Sequence, residues 1–163
     1  MQTSFTDKQL QDKDNKTSET IIRKCVHCGM CNATCPTYGI NGEELEGPRG
    51  RIYLIKDMLE NKKPATKEIA KHIDSCLSCY SCMTTCPSGV NYMHLIDHGR
   101  NYVEETYKRP FLDRLFRNIL SFVLPRPKIF LLMAWSSKII KPLSFLFPKF
   151  LRNALNLMPN KIP

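Results

Sequence analysis

Eight cysteines in two matching groups are the residues of this sequence best suited to chemistry. The first group spans Cys25 to Pro36, and the second spans Cys76 to Pro87. Both read C-x2-C-x2-C-x3-C-P, the second begins 51 residues after the first, and together they use every cysteine of the chain. The pattern therefore indicates an internal repeat of one metal-binding unit.

This cysteine run is the one that bacterial ferredoxins use to hold a [4Fe–4S] cluster. Three cysteines at this spacing wrap a tight loop around one face of the cluster. In two-cluster proteins the fourth cysteine, followed by proline, reaches the other cluster. The sequence therefore predicts two clusters, and the ligands of the first are Cys25, Cys28, Cys31 and Cys86. The predicted ligands of the second are Cys76, Cys79, Cys82 and Cys35.

Structural zinc is the alternative use of eight cysteines, with four thiolates at each of two sites. Zinc sites usually combine C-x2-C pairs from separated segments, whereas here four cysteines form one continuous run twice. The spacing favours iron–sulfur clusters, and the zinc alternative corresponds to an interaction module without redox activity.

Residues beside the cysteines carry less information. Gly29, Ser78 and Ser81 are candidates for hydrogen bonds to the cluster sulfurs, which tune the reduction potential. His27 is interpreted as an exposed loop side chain rather than a proton relay or ligand, since cysteine ligation is already complete. The segment 47–51, Gly-Pro-Arg-Gly-Arg, is interpreted as a turn and helix cap rather than an anion cradle. We predict no catalytic residue and no substrate or flavin site in this chain.

The composition is that of a folded protein with one domain, or one small domain plus appendages. Of the 163 residues, 42% are hydrophobic and 24% are charged. The N-terminus has neither the apolar region nor the cleavage site of a secretory signal, so we expect a reducing compartment and no disulfides. Residues 1–20 are polar and are predicted to be a mobile or weakly helical leader.

Helices must position the two cysteine groups, because no alternating pattern of a strand occurs between or after them. Apolar residues at helical spacing predict helices over 51–60, 65–75 and 91–107. We therefore predict an all-α fold in which residues 21–107 form a two-cluster domain.

The segment 108–163 is predicted to be a basic, amphipathic helical tail broken by prolines. Residues 1–107 hold 13 Lys and Arg against 14 Asp and Glu, whereas residues 108–163 hold 11 against one acid, Asp113. An apolar helical face runs from Phe111 to Val123. Docking on a partner subunit is the preferred interpretation, contact with an anionic membrane surface is second, and no nucleic-acid-binding motif is present.

Three features together resemble a known family. They are the two cysteine runs, the spacer 39–56 (GINGEELEGPRGRIYLIK), and the phrase Cys-Pro-Ser-Gly-Val at 86–90. They are similar to the iron–sulfur subunit of bacterial glycolate oxidase, or glycolate dehydrogenase, and the resemblance covers almost the whole chain. Members of that family continue into cysteine-rich repeats with a Cys-Cys-Gly motif, so we expect this chain to be the N-terminal part or a truncated form.

The resemblance implies an α-helical ferredoxin domain that works with FAD-containing partner subunits. Those partners oxidise glycolate to glyoxylate, and the electrons go through the clusters towards the quinone pool. It also implies a cytoplasmic location, with peripheral contact at the inner membrane. The corresponding subunit of a lactate or anaerobic glycerol-3-phosphate dehydrogenase is the alternative within the same class.

Overall fold

The computed structural model describes residues 1–140, except for the side chains of Ala134 and residues 136–140. No strand occurs in this range, which confirms the all-α prediction for the described residues. The helices are α1 Lys13–Lys24, α2 Pro36–Asn41, α3 Pro48–Asn61, α4 Lys67–Asp74, α5 Ser81–Thr85, α6 Tyr92–Thr106, α7 Phe111–Val123 and α8 Pro127–Ile140. Short 3-10 turns lie at Gln9–Gln11, Met30–Asn32 and Glu44–Glu46.

The chain divides into two compact units, Met1–Lys108 and Arg109–Pro163. All eight cysteines belong to the first unit. The division lies one residue beyond the predicted start of the basic tail.

Local signals explain where the helices of the first unit begin. The side chains of Asp12, Thr66 and Asn91 each accept a backbone N–H in the first turn of α1, α4 and α6. Helix α3 begins at Pro48, whose fixed φ suits the first helical position. It therefore starts three residues before the predicted segment 51–60. Helices α4 and α6 lie within the predicted segments 65–75 and 91–107.

The core of the first unit lies between α1, α3, α4 and α6. Its apolar side chains are almost fully excluded from solvent: Ile22, Ile55, Met58, Ile73, Leu95, Ile96 and Val103. Each contributes about 1.5–3 kcal/mol of transfer free energy. Helix α6 lies so close to α3 that a Cβ at Gly99 would be 2.8 Å from Ile55 Cγ1. This packing holds the segments that carry the two cysteine groups.

Residues 1–20, predicted to be a mobile or weakly helical leader, form part of the first unit and include the start of α1. The Met1 amino group donates to the carbonyl oxygens of Ile22 and Arg23 at 3.3 Å. The Gln9 side chain donates to the Leu59 carbonyl at 2.8 Å, and the buried Ser18 hydroxyl lies 2.7 Å from His98 Nδ1. Specific hydrogen bonds, which leave no apolar periodicity in the sequence, hold this polar segment.

The second unit begins with α7, which coincides with the predicted amphipathic segment. Arg117 pairs with Asp113 at 3.3 Å within this helix. Its large apolar side chains are solvent-exposed, among them Phe111, Leu112, Leu115, Phe116 and Ile119. The prolines of the predicted tail at 142, 148, 159 and 163 lie outside the described residues. Among the described helices, none has the length and apolar character needed to cross a bilayer.

Candidate metal centres

The two cysteine loops share an unusual backbone geometry at matching positions. In the first loop His27 has φ +59° and Gly29 has φ +84°. In the second loop the matching residues, Ser78 and Tyr80, have φ +51° and +56°. Left-handed φ values turn the chain sharply. Both loops therefore curl in the same way, as a repeated ligand unit requires.

The first predicted ligand set lines one cavity. Cys25 reaches it from the end of α1, and Cys28 and Cys31 reach it from the first loop. Cys86, from the end of the second loop, lies on the same wall. The structure thus brings together three cysteines of one repeat and the last cysteine of the other.

The second predicted set lines another cavity. Its four cysteines are Cys35, Cys76, Cys79 and Cys82. Cys82 and Tyr92 line both cavities and so form part of the wall between them. This placement agrees with the crossed ligand sets, while the ligation of each thiol stays a prediction.

The donor chemistry of both cavities fits a [4Fe–4S] cluster, which four cysteine thiolates hold. Burial, followed by the neighbouring thiols Cys25 and Cys86, raises the pKa of Cys31 to about 11. Burial raises the pKa of Cys82 to about 12, with Cys31 and Cys76 adding to the effect. Thiolates this crowded repel one another, and the positive charge of bound iron would offset that repulsion and keep its thiol ligands deprotonated.

Each loop also exposes one cysteine. Cys28 and Cys79 are exposed, whereas Cys25 and Cys82 are buried. Large apolar side chains beside them are exposed as well, Val26 in the first loop and Leu77 in the second. Each predicted ligand set therefore has one thiol at the protein surface.

The predicted tuning residues take different roles in the structure. Ser81 contacts the Cys79 thiol through its backbone N–H and its hydroxyl, which lowers the pKa of that thiol. Ser78 instead accepts a hydrogen bond from Arg100 at 2.6 Å, and Arg100 also donates to the Cys76 carbonyl at 2.6 Å. Gly29 supplies the left-handed turn described above.

Two sulfur contacts were not predicted. The Tyr92 hydroxyl donates to Cys76 Sγ at 3.7 Å, and the Thr37 hydroxyl lies 3.2 Å from Cys35 Sγ. Tyr92 is buried, and burial raises the pKa of its phenol. Neither residue lies inside a cysteine run, so the spacing of the motif carries no signal for them.

The segment 47–51 provides the turn and helix start that the sequence indicates, but it also holds a buried charge network. Arg51 is almost fully buried, and its guanidinium donates to Glu46 Oε2 at 2.9 Å. His72 Nδ1 lies 2.8 Å from Glu46 Oε1. Burial alone raises the pKa of Glu46, but hydrogen bonds from Ser75 and His72 and the Arg51 charge together lower it below its ordinary value.

A more exposed ion pair lies beside the first cavity. Arg49 lines it and pairs with Glu44, and this hydrogen bond lowers the pKa of Glu44. His27 is half-buried rather than exposed, with its ring edge-on to Tyr53 at 6.4 Å between centroids. Burial and then the Arg49 charge lower the pKa of His27.

A comparison with known protein families finds a match to the segment that carries the cysteines. A family model described as a 4Fe–4S dicluster domain matches residues 21–90. Residues 21–90 are therefore similar to 4Fe–4S dicluster domains. The dicluster domain includes all eight cysteines and both cavities described above, and the match supports iron–sulfur clusters over structural zinc.

Curated relatives extend the likeness beyond the dicluster domain. The chain is 47% identical over 142 residues to the glycolate oxidase iron–sulfur subunit of Escherichia coli (strain K12), covering 87% of this chain and 35% of that protein. It is 31% identical over 117 residues to a probable glycolate oxidase iron–sulfur subunit of Bacillus subtilis (strain 168), covering 69% of this chain and 26% of that protein. These matches confirm the resemblance seen in the sequence.

A more distant match involves the succinate dehydrogenase iron–sulfur subunit of Paracoccus denitrificans, 30% identical over 76 residues, which are 43% of this chain and 29% of that protein. The chain spans about a third or less of the length of these relatives. No solved structure matches the chain.

Proposed function

We propose that this chain is the electron-transferring part of a glycolate-oxidising dehydrogenase. The observation that carries the proposal is the 47% identity to the E. coli glycolate oxidase iron–sulfur subunit, over a segment that includes both cysteine-lined cavities. In this proposal Cys25, Cys28, Cys31 and Cys86 hold one cluster. Cys35, Cys76, Cys79 and Cys82 hold the other.

The side chains of the dicluster domain suit relay rather than substrate chemistry. A bound [4Fe–4S] cluster supplies one-electron storage. The exposed Cys28 and Cys79 bring one ligand of each proposed set to the surface, where an external donor or acceptor can approach. Cys82 and Tyr92 are buried and line both cavities, so they lie between the two sites and exclude bulk water there.

The remaining parts of the proposal concern partners and place. Oxidation of glycolate to glyoxylate releases two electrons and two protons, which an FAD-containing partner subunit accepts. The electrons then leave that partner one at a time through this chain towards the quinone pool. We further propose a cytoplasmic location, in which the basic segment after residue 108 contacts a partner subunit or the inner-membrane surface. The charge of that segment supports this part.

The test is anaerobic electron paramagnetic resonance on the chain co-purified with its flavin partners. Glycolate should produce reduced [4Fe–4S] signals, while lactate and glycerol 3-phosphate, added separately, should not. Signals that appear only with one of the other two substrates would reassign the complex. Signals that appear with dithionite but with none of the three would refute glycolate as the electron source for this chain.

A further inference from the structure

Helix α3 directs two arginines towards the two cavities. Arg49 lines the first cavity and Arg51, two residues later, lines the second. Their environments differ, because the Arg49 side chain is 33% exposed and the Arg51 side chain is 1% exposed. A charge shielded from water acts on its neighbours far more strongly than one in contact with it.

The contacts of Arg51 fix the orientation of its guanidinium. Nε donates to the His72 carbonyl at 2.6 Å, and Nη2 donates to Glu46 Oε2 and to the Ser75 hydroxyl, both at 2.9 Å. Nη1, at the other side of the group, donates to the Thr37 hydroxyl at 3.2 Å and lies 4.0 Å from Cys35 Sγ. The cationic group of the ion pair therefore contacts the sulfur.

Thr37 connects the same groups a second time. Its hydroxyl donates to the Glu46 carbonyl at 2.7 Å and accepts from Arg51, while it lies 3.2 Å from Cys35 Sγ. These bonds hold Arg51 in one arrangement beside the thiol, so its charge is a fixed property of the second cavity.

We propose that Arg51 raises the reduction potential of the cluster held by Cys35, Cys76, Cys79 and Cys82, and that Glu46 limits the increase. Each one-electron reduction adds one negative charge to the site without making or breaking a bond, and a fixed cation nearby stabilises that charge. Net charge and hydrogen bonds to the sulfurs are among the factors that set such potentials. The inference rests on the proposed ligand sets, not on glycolate as substrate.

The experiment is a redox titration of the cluster-loaded chain with dithionite as the electron donor, followed by electron paramagnetic resonance. Arg51→Gln should lower one of the two midpoint potentials by about 59 mV, which corresponds to a tenfold change in a one-electron equilibrium constant. Glu46→Gln should move the same potential upwards, because it removes the opposing charge. Arg51→Lys should keep most of the wild-type value.

Arg49→Gln is the matched control on the same helix. It should leave that potential in place and shift only the other one, by less, because Arg49 is half-exposed. Cys35→Ser identifies which signal belongs to the second cavity. An electrostatic role predicts potential shifts of opposite sign in Arg51→Gln and Glu46→Gln. Loosened packing should instead shift the potential in the same direction in both variants.

Three results would overturn the inference. They are an unchanged potential in Arg51→Gln, equal shifts of both clusters, or a downward shift in Glu46→Gln. If Arg51→Gln loses its clusters, Glu46→Gln still decides the question by the direction of its shift. The titration needs neither glycolate nor partner subunits, so its failure is distinct from failure of the proposed function.

Discussion

The two cysteine cavities have the same ligand spacing and different surroundings. Both loops place left-handed residues at matching positions and expose the second cysteine of the run. Around the first cavity lie a half-exposed Arg49–Glu44 pair and His27. Beside the second lies the buried Arg51–Glu46 pair with His72. The repeat thus accounts for the spacing of the predicted ligands. The segment 44–51, which is not repeated, gives the two sites different charged surroundings.

The largest effect should come from removing a cysteine that one repeat contributes to the predicted ligand set of the other. Cys35→Ser should remove the cluster held by Cys76, Cys79 and Cys82 and leave the other in place, because Cys35 lines the second cavity. Iron content should fall by about half, since each of the two clusters holds four iron atoms. Iron analysis and electron paramagnetic resonance of the purified chain measure both quantities.

Cys86→Ser is the mirror experiment for the first cavity. It should remove the signal that survives in Cys35→Ser, since Cys86 lines the first cavity with Cys25, Cys28 and Cys31. If each substitution instead removes the cluster of its own repeat, the crossed ligand sets are wrong.

The next largest effect should be a difference in the free energy of unfolding between variants of the two arginines. Arg51→Ala leaves the Glu46 carboxylate buried without its cation, and breaking a buried pair in this way costs about 3–5 kcal/mol. Arg49→Ala removes a partner of the half-exposed Glu44 and should change stability little, because water solvates the remaining charge. Anaerobic urea unfolding of the cluster-loaded chain, followed by circular dichroism, measures the difference. Equal midpoints for the two variants would contradict the contrast in burial.

The smallest effect should appear at the left-handed position that the loops share. Gly29→Ala should destabilise the chain by about 1 kcal/mol, because an L side chain is strained at φ +84°. An added Cβ would also lie 2.8 Å from Arg49 Nη1, which is the flexible end of that side chain. The control is Gly39→Ala in helix α2, where no atom lies within 4 Å of an added Cβ. A thermal melt in which Gly29→Ala is as stable as Gly39→Ala would contradict the strain at this position.

The sequence predicts the parts of the site that depend on local spacing. Cysteine runs specify their own loops, and apolar residues at helical spacing locate α3, α4 and α6. The buried Arg51–Glu46 pair could not be predicted in this way, because a charged residue on a buried helix face interrupts the apolar pattern. The placement of residues 1–20 could not be predicted for a related reason, since single polar contacts such as Gln9 to Leu59 hold them.

The central claim is that the segment 21–90 holds two [4Fe–4S] clusters in two cysteine-lined cavities. Metal and sulfide analysis of the anaerobically purified chain tests it most directly. The account predicts a brown protein with about eight iron atoms and eight acid-labile sulfides per chain, which bleaches on reduction. A colourless protein with about two zinc ions per chain and no labile sulfide would contradict it.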